Sequence, residues 1–206
     1  MTDVRRPNPL DRLALALSAA ASPFVTLPLF LLLLAAHEAA SPAQTLHWTL
    51  VAAGGMVGAP LLYVLSLWRR GLVTDPHVQR REQRGAPFMA AIAGCAAAAI
   101  ALAAIEAAPA LVLAAGAAAL NGLAFGAVTR RWKISMHGSV YLACGLMAGW
   151  LVNPWWYLVL LGLPAVVWAR VRRGRHNWAQ GVAAIALAAG ITLVCLTIFT
   201  QLGPGR

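Results

Sequence analysis

The sequence predicts an all-α, polytopic transmembrane helix bundle of six to seven spans, forming a single integral membrane domain over residues 1–206. Three observations lead there. Hydrophobic residues make up 61% of the chain, and the mean hydropathy is +0.73. Charged residues reach only 11%, against about 25% in soluble domains, so a water-soluble fold would lack the polar surface to cover its apolar mass. The apolar residues also fall into long runs with short polar connections. In lipid each run must satisfy its own backbone polar groups, which points to helices.

Seven runs cover 13–36, 46–68, 86–105, 108–128, 139–152, 155–169 and 178–199. Asp11 and Arg12 precede the first, and no small-residue cleavage site follows, so it reads as a retained helix rather than a secretory signal. Gly54, Gly55 and Gly58 suit the second run to close helix contact. The third and fourth hinge around Glu106 and Pro109. The fifth and sixth are short and break at Asn153-Pro154, so six spans result if these two form a re-entrant hairpin. Asn121, inside the fourth run, is expected to bond a neighbouring helix. Cys95, Cys144 and Cys195 lie in apolar runs without a CxxC pair, and read as small hydrophobes rather than a disulfide or metal framework. Trp132, Trp155, Trp156, Trp168 and Trp178 fit an interfacial belt.

The net charge is +10. With no soluble domain left to bind nucleic acid, this charge reads as topology and attraction to anionic membrane lipids. Numbering the connections by seven spans puts every Lys and Arg except the terminal Arg206 on the side of the N-terminus. The excess survives removal of Arg84, Lys133 and Arg170, which could be needed for chemistry. The positive-inside rule therefore places the basic connections in the cytoplasm.

Three of the five histidines, His77, His137 and His176, lie in those basic connections. Two spans separate each from the next, so all three return to one membrane face. Guanidinium groups bind phosphate bidentately and keep their charge. Ser135 and His137 stand where the fifth helix opens, and first-turn N–H groups favour an anion. One imidazole can attack phosphorus, and a second, titrating near neutrality, can protonate the leaving alkoxide. No ligand spacing suggests a metal, and no cofactor is implied. The bland alternative is a set of solvated loop histidines among headgroup anchors, the role expected for Arg172, Arg173 and Arg175.

The spacing favours the sharper reading. Arg170-x5-His176 resembles the third signature of the type 2 phosphatidic acid phosphatase family, which reads Ser-Arg, five residues, His, three residues, Asp. Ser135-Met136-His137 is similar to the second signature, Pro-Ser-Gly-His. His77-x6-Arg84 is similar to the first, Lys, six residues, Arg-Pro. The resemblance covers roughly residues 75–190, within a motif-bearing core of about 70–200, and it implies a phosphatidic acid phosphatase type 2-like helical core. It also implies that His176 is the nucleophile and His137 the general acid and then base. Arg84, Arg170 and Ser135 would hold the phosphoryl oxygens. Lys133, His77 and Arg81 would add phosphate-binding groups. The departures are His77 for Lys, Gly85 for Pro, Ala169 for Ser, Ile134 and Met136 around Ser135, and Gln180 where the family has Asp. Gln180 or Asp75 would then have to orient the nucleophile.

The expected activity is metal-independent hydrolysis of a lipid phosphate monoester at the cytoplasmic leaflet, in the inner membrane of a bacterium. Candidate anionic lipid substrates are a polyprenyl phosphate, a polyprenyl-phosphoryl sugar phosphate or a phospholipid phosphate. The alternative is an inactive or weak family member that binds anionic lipid or serves as a partner subunit. A lipid transporter would need charged or polar residues deep within the spans, which these lack apart from Asn121 and a few Ser and Thr, and an intramembrane prenyltransferase would need paired Asp-rich motifs, which are absent. With seven spans, a reporter fused after Arg206 is expected outside the cytoplasm, and an inside reporter would require six.

Overall fold

A computed structural model describes residues 8–75, 83, 85–132 and 134–202. Among the described residues there is no strand. The helices run in the order α1 (Pro9–Ala20), α2 (Pro23–Glu38), α3 (Pro42–Ala53), α4 (Ala59–Arg69), α5 (Gly85–Ala104), α6 (Pro109–Thr129), α7 (Met136–Leu151), α8 (Leu163–Arg172) and α9 (Trp178–Leu202). A π-helical turn, Gly54–Gly58, joins α3 to α4, and a 3-10 helix, Pro154–Gly162, leads into α8. Among the described residues, five helical segments are long and apolar enough to cross a membrane, counting α3–α4 and the 3-10 helix with α8 as one each, or six if the bent pair α1–α2 is one span.

The structure differs from the seven expected runs in two places. The first run is not one straight helix, since α1 and α2 meet at 44°. Pro23 has no N–H to continue the ladder, and it pushes Ser22 into extended backbone. The Ser22 hydroxyl then starts α2 by accepting the Phe24 N–H at 3.4 Å. The second difference is α7, whose 16 residues rise only about 24 Å against a hydrocarbon core of about 30 Å. More than half of α7 is buried, so protein rather than lipid surrounds it.

The segment after α7 offsets its short sequence by stretching. A 3-10 helix rises about 2.0 Å per residue against 1.5 Å in an α-helix, so Pro154–Arg172 reaches about 33 Å. Pro164 explains the winding, because it lacks the N–H that Leu160 would accept in an α-helix. The Tyr141 hydroxyl of α7 donates to the Val159 carbonyl at 2.8 Å and helps satisfy this stretch. A Cβ on Gly145 would lie 2.5 Å from Leu160, and one on Gly149 would overlap the Tyr157 ring. These contacts make α7 and the returning segment an antiparallel pair.

Alanines such as Ala52, Ala98, Ala115 and Ala184 share the core with buried Leu31, Leu34, Leu102 and Leu111, while Leu62, Ile100, Leu161 and Leu202 face outward. This suits lipid, where helices gain by close packing rather than by hiding large apolar side chains. Asn121 behaves as expected, since its Nδ2 donates to Thr192 of α9 at 3.5 Å and to the Ala117 carbonyl at 3.0 Å. The larger core joins α2, α3, α5, the first half of α6 and the second half of α7. A smaller one, around Phe125, Ile134, Leu142, Ala184 and Ala188, fills the end that carries the basic connections. Exposed Trp68, Trp132 and Trp178 ring that end, and Trp150, Trp155 and Trp156 ring the other, as aromatic belts do at two interfaces.

At the far end, α5 stops with Glu106 in left-handed backbone, φ 54°. The Ala107 N–H donates to the Leu102 carbonyl at 2.9 Å, and the Glu106 N–H to the Ala103 carbonyl at 3.1 Å. This is a Schellman cap with glutamate where glycine costs least. Glu106→Gly is therefore expected to stabilise the protein by about 0.5–1 kcal/mol, allowing for the looser unfolded chain. Denaturant titration in detergent measures this, and an unchanged or lowered midpoint would contradict it.

Candidate functional site

Three helices meet at the basic end, where α7 begins, α8 ends and α9 begins. A Cβ on Gly138 would lie 3.5 Å from Ile185 of α9 and 3.9 Å from Val167 of α8. One on Gly181 would lie 2.7 Å from Val167. The Ser135 N–H donates to the Gln180 carbonyl at 3.4 Å, tying the start of α7 to the first turn of α9. Backbone proximity therefore gathers the turn bearing His137, the turn bearing Arg170 and the connection bearing His176.

His176 sits between two helix caps. Gly174, at φ 62°, ends α8 in left-handed backbone. Its N–H donates to the Val171 carbonyl at 2.9 Å, and the Arg175 N–H donates to the Arg170 carbonyl at 3.0 Å, which makes a complete Schellman cap. One residue beyond His176, the Gln180 N–H donates to Asn177 Oδ1 at 2.9 Å, and the Asn177 N–H donates to Gln180 Oε1 at 3.1 Å. This reciprocal pair is a capping box with Asn in the role of Ser or Thr. The chain is thus held on both sides of His176, whose Nδ1 is shut off from solvent. The side chain of Gln180, which the resemblance puts on the imidazole, is committed to the start of α9.

Arg170 is half-buried, and its Nη1 donates to the Ser18 hydroxyl of α1 at 2.8 Å. Arg173 Nη1 donates to the same oxygen at 3.0 Å. Arg172 turns another way, pairing with Asp11 at 2.8 Å and stacking 5.8 Å from the Trp168 ring centre. Arg173, expected as a headgroup anchor with Arg172 and Arg175, instead shares an acceptor with Arg170.

Ser135 is 2% exposed and stands at the N-cap position of α7 without a capping hydrogen bond from its side chain. Its backbone N–H is given to Gln180, so the N–H groups that could face an anion are those of Met136, His137 and Gly138. Asp75 is half-buried, next to Thr74, whose N–H and hydroxyl donate to Gln83 Oε1 at 3.1 and 3.0 Å. His77, Arg81, Arg84 and Lys133 lie outside the described residues. Among the described residues, no three His, Cys, Asp or Glu side chains gather as metal ligands.

Sequence reasoning missed Ser18, Arg173 and Asn177. Ser18 is one polar residue in an apolar run 152 positions from Arg170, and no local pattern joins them. The Asn177-x-x-Gln180 box was visible as a helix start, but it competes with the catalytic reading of Gln180. Comparison with family models, with curated proteins and with solved structures finds no match.

Gly174→Ala is expected to cost about 1 kcal/mol by placing a Cβ in left-handed backbone, and to loosen the connection that holds His176. Denaturation in detergent and hydrogen exchange of residues 173–177 measure both effects. Unchanged stability and unchanged exchange would contradict the cap as described.

Proposed function

We propose that this protein is a membrane lipid phosphatase that hydrolyses a phosphate monoester at the cytoplasmic leaflet through a phosphohistidine on His176. One observation carries the reading: the junction of Gly138, Val167 and Gly181 gathers two histidine-bearing segments and the Arg170–Arg173 pair at the basic end. With Nδ1 buried, Nε2 is the nitrogen that attacks phosphorus. The bond from phosphorus to the lipid oxygen breaks, and protonated His137 gives its proton to the leaving alkoxide. Water then attacks phosphorus, losing a proton to His137 as the phosphorus–nitrogen bond breaks, so phosphate leaves and His176 is restored. Arg170, together with Arg84 and Ser135, stabilises the equatorial oxygens, and Lys133, His77 and Arg81 add local positive potential. The leaflet follows from the positive-inside rule. A lipid with a phosphate head and a long isoprenoid tail suits a cationic end on an apolar bundle.

A specific observation favours a second reading. With the Gln180 carbonyl capping α9, the carboxylate that steadies a nucleophilic imidazole in the resembled family has no equivalent at this position. The protein would then bind anionic lipid phosphates without turning them over.

One assay separates the two. Phosphate release from a panel of lipid phosphates is expected for the wild type, with a fall of about 10²- to 10⁴-fold in His137→Ala and loss of turnover in His176→Ala. Equal rates in all three would sink the catalytic assignment. Saturable phosphate binding with no release by the wild type would establish the binder.

A further inference from the structure

The α1 helix has a role that the sequence does not disclose. Asp11, Ala14, Ser18 and Ala21 recur at helical spacing on or just beyond it, and the last three are buried. They form the face that meets α8, pinned at one end by the Asp11–Arg172 ion pair and at the other by the Ser18 hydrogen bonds. Ser18 is 1% exposed. A hydroxyl oxygen has two lone pairs, and here two guanidinium groups take them, at 2.8 and 3.0 Å. Ser18 therefore brings two guanidinium groups, with two positive charges, onto one atom, and the chemistry complementary to such a pair is an oxyanion.

We propose that Ser18 is a positioning residue for the phosphate site: its hydroxyl holds Arg170 and Arg173 together as one cationic unit, so that α1 and a bound phosphate monoester stabilise each other. This rests on the reading of Arg170 as a phosphate-binding group. The coupling is reciprocal, as any linkage between two binding events must be. A phosphate bridging the two guanidinium groups tightens the docking of α1 on α8, and an undocked α1 leaves the guanidinium groups without their common tether and lowers affinity. The recognised chemistry is a phosphate monoester, which could come from a lipid head or from free phosphate.

The test uses the full chain in nanodiscs of phosphatidylcholine, with three probes: inorganic phosphate, added phosphatidic acid, and additional phosphatidylcholine as the neutral control. In the wild type, inorganic phosphate or phosphatidic acid is expected to slow hydrogen exchange across residues 10–20, with no effect of phosphatidylcholine. Protection by phosphatidic acid alone would assign the site to a lipid head, and protection by both to the phosphate group itself. Ser18→Ala is expected to weaken binding of the protecting probe about tenfold and to remove the protection of α1. Ser18→Thr, which keeps the hydroxyl, should restore both in part. Asp11→Asn, which loosens α1 away from the guanidinium pair, should raise basal exchange of α1 and weaken binding less than Ser18→Ala does. A purely structural serine would change basal exchange without changing its dependence on phosphate, and that result would overturn the proposal. If the wild type binds and hydrolyses lipid phosphate and Ser18→Ala matches it throughout, the coupling falls while the phosphatase reading stands. If the wild type binds neither phosphate probe, both fall.

Discussion

A methyl group on Gly181 would stand 2.7 Å from a methyl of Val167, well inside van der Waals contact. The basic end of the molecule depends on that missing side chain. Only because Gly181 lacks a Cβ can the first turn of α9 close on the middle of α8, while Gly138 of α7 stands at ordinary contact distance from Ile185 and Val167. The same device recurs along α7, where Gly145 and Gly149 admit Leu160 and Tyr157 of the returning segment. Helices in lipid gain little from hiding large apolar groups, so contact between near-bare backbones is what holds such a bundle together. The glycines at these helix contacts follow from this one constraint.

Close approach also organises the polar residues. The connection bearing His176 spans only a few residues, and a cap closes each end of it. The Schellman turn at Gly174 satisfies the last carbonyls of α8, and the Asn177–Gln180 box satisfies the first N–H groups of α9. Unpaired backbone groups at a membrane face are costly, so both caps serve stability first. Their consequence is an imidazole carried on backbone held from both sides, with the Gln180 side chain engaged in the start of α9.

Cations at this end are divided between two tasks. Arg172 turns to Asp11 and the Trp168 ring, an arrangement that fastens α1 to α8. Arg170 and Arg173 converge on one neutral hydroxyl, and the proposed phosphate site rests on that shared contact rather than on basicity in general.

Much of the architecture was legible in the sequence because it depends on local or additive properties. Run length and hydropathy identified the apolar helices, and the distribution of Lys and Arg defined a basic end. The Arg170-x5-His176 spacing marked a segment that the structure does bring beside the start of α7. Some local signals were present but outweighed, such as Ser22-Pro23, which breaks the first run, and Pro164, behind the 3-10 winding that lengthens the sixth. The shortness of α7 was also visible, but not that protein surrounds it, since burial depends on neighbours. What only the tertiary structure decided is which distant residues share an atom. Ser18 receives two guanidinium groups from 152 and 155 positions away, and Gly181 faces Val167, because helix packing selects partners by shape across the bundle. A linear pattern records what each residue can offer; the choice of acceptor and of contacting backbone is made by the packing of all the helices together.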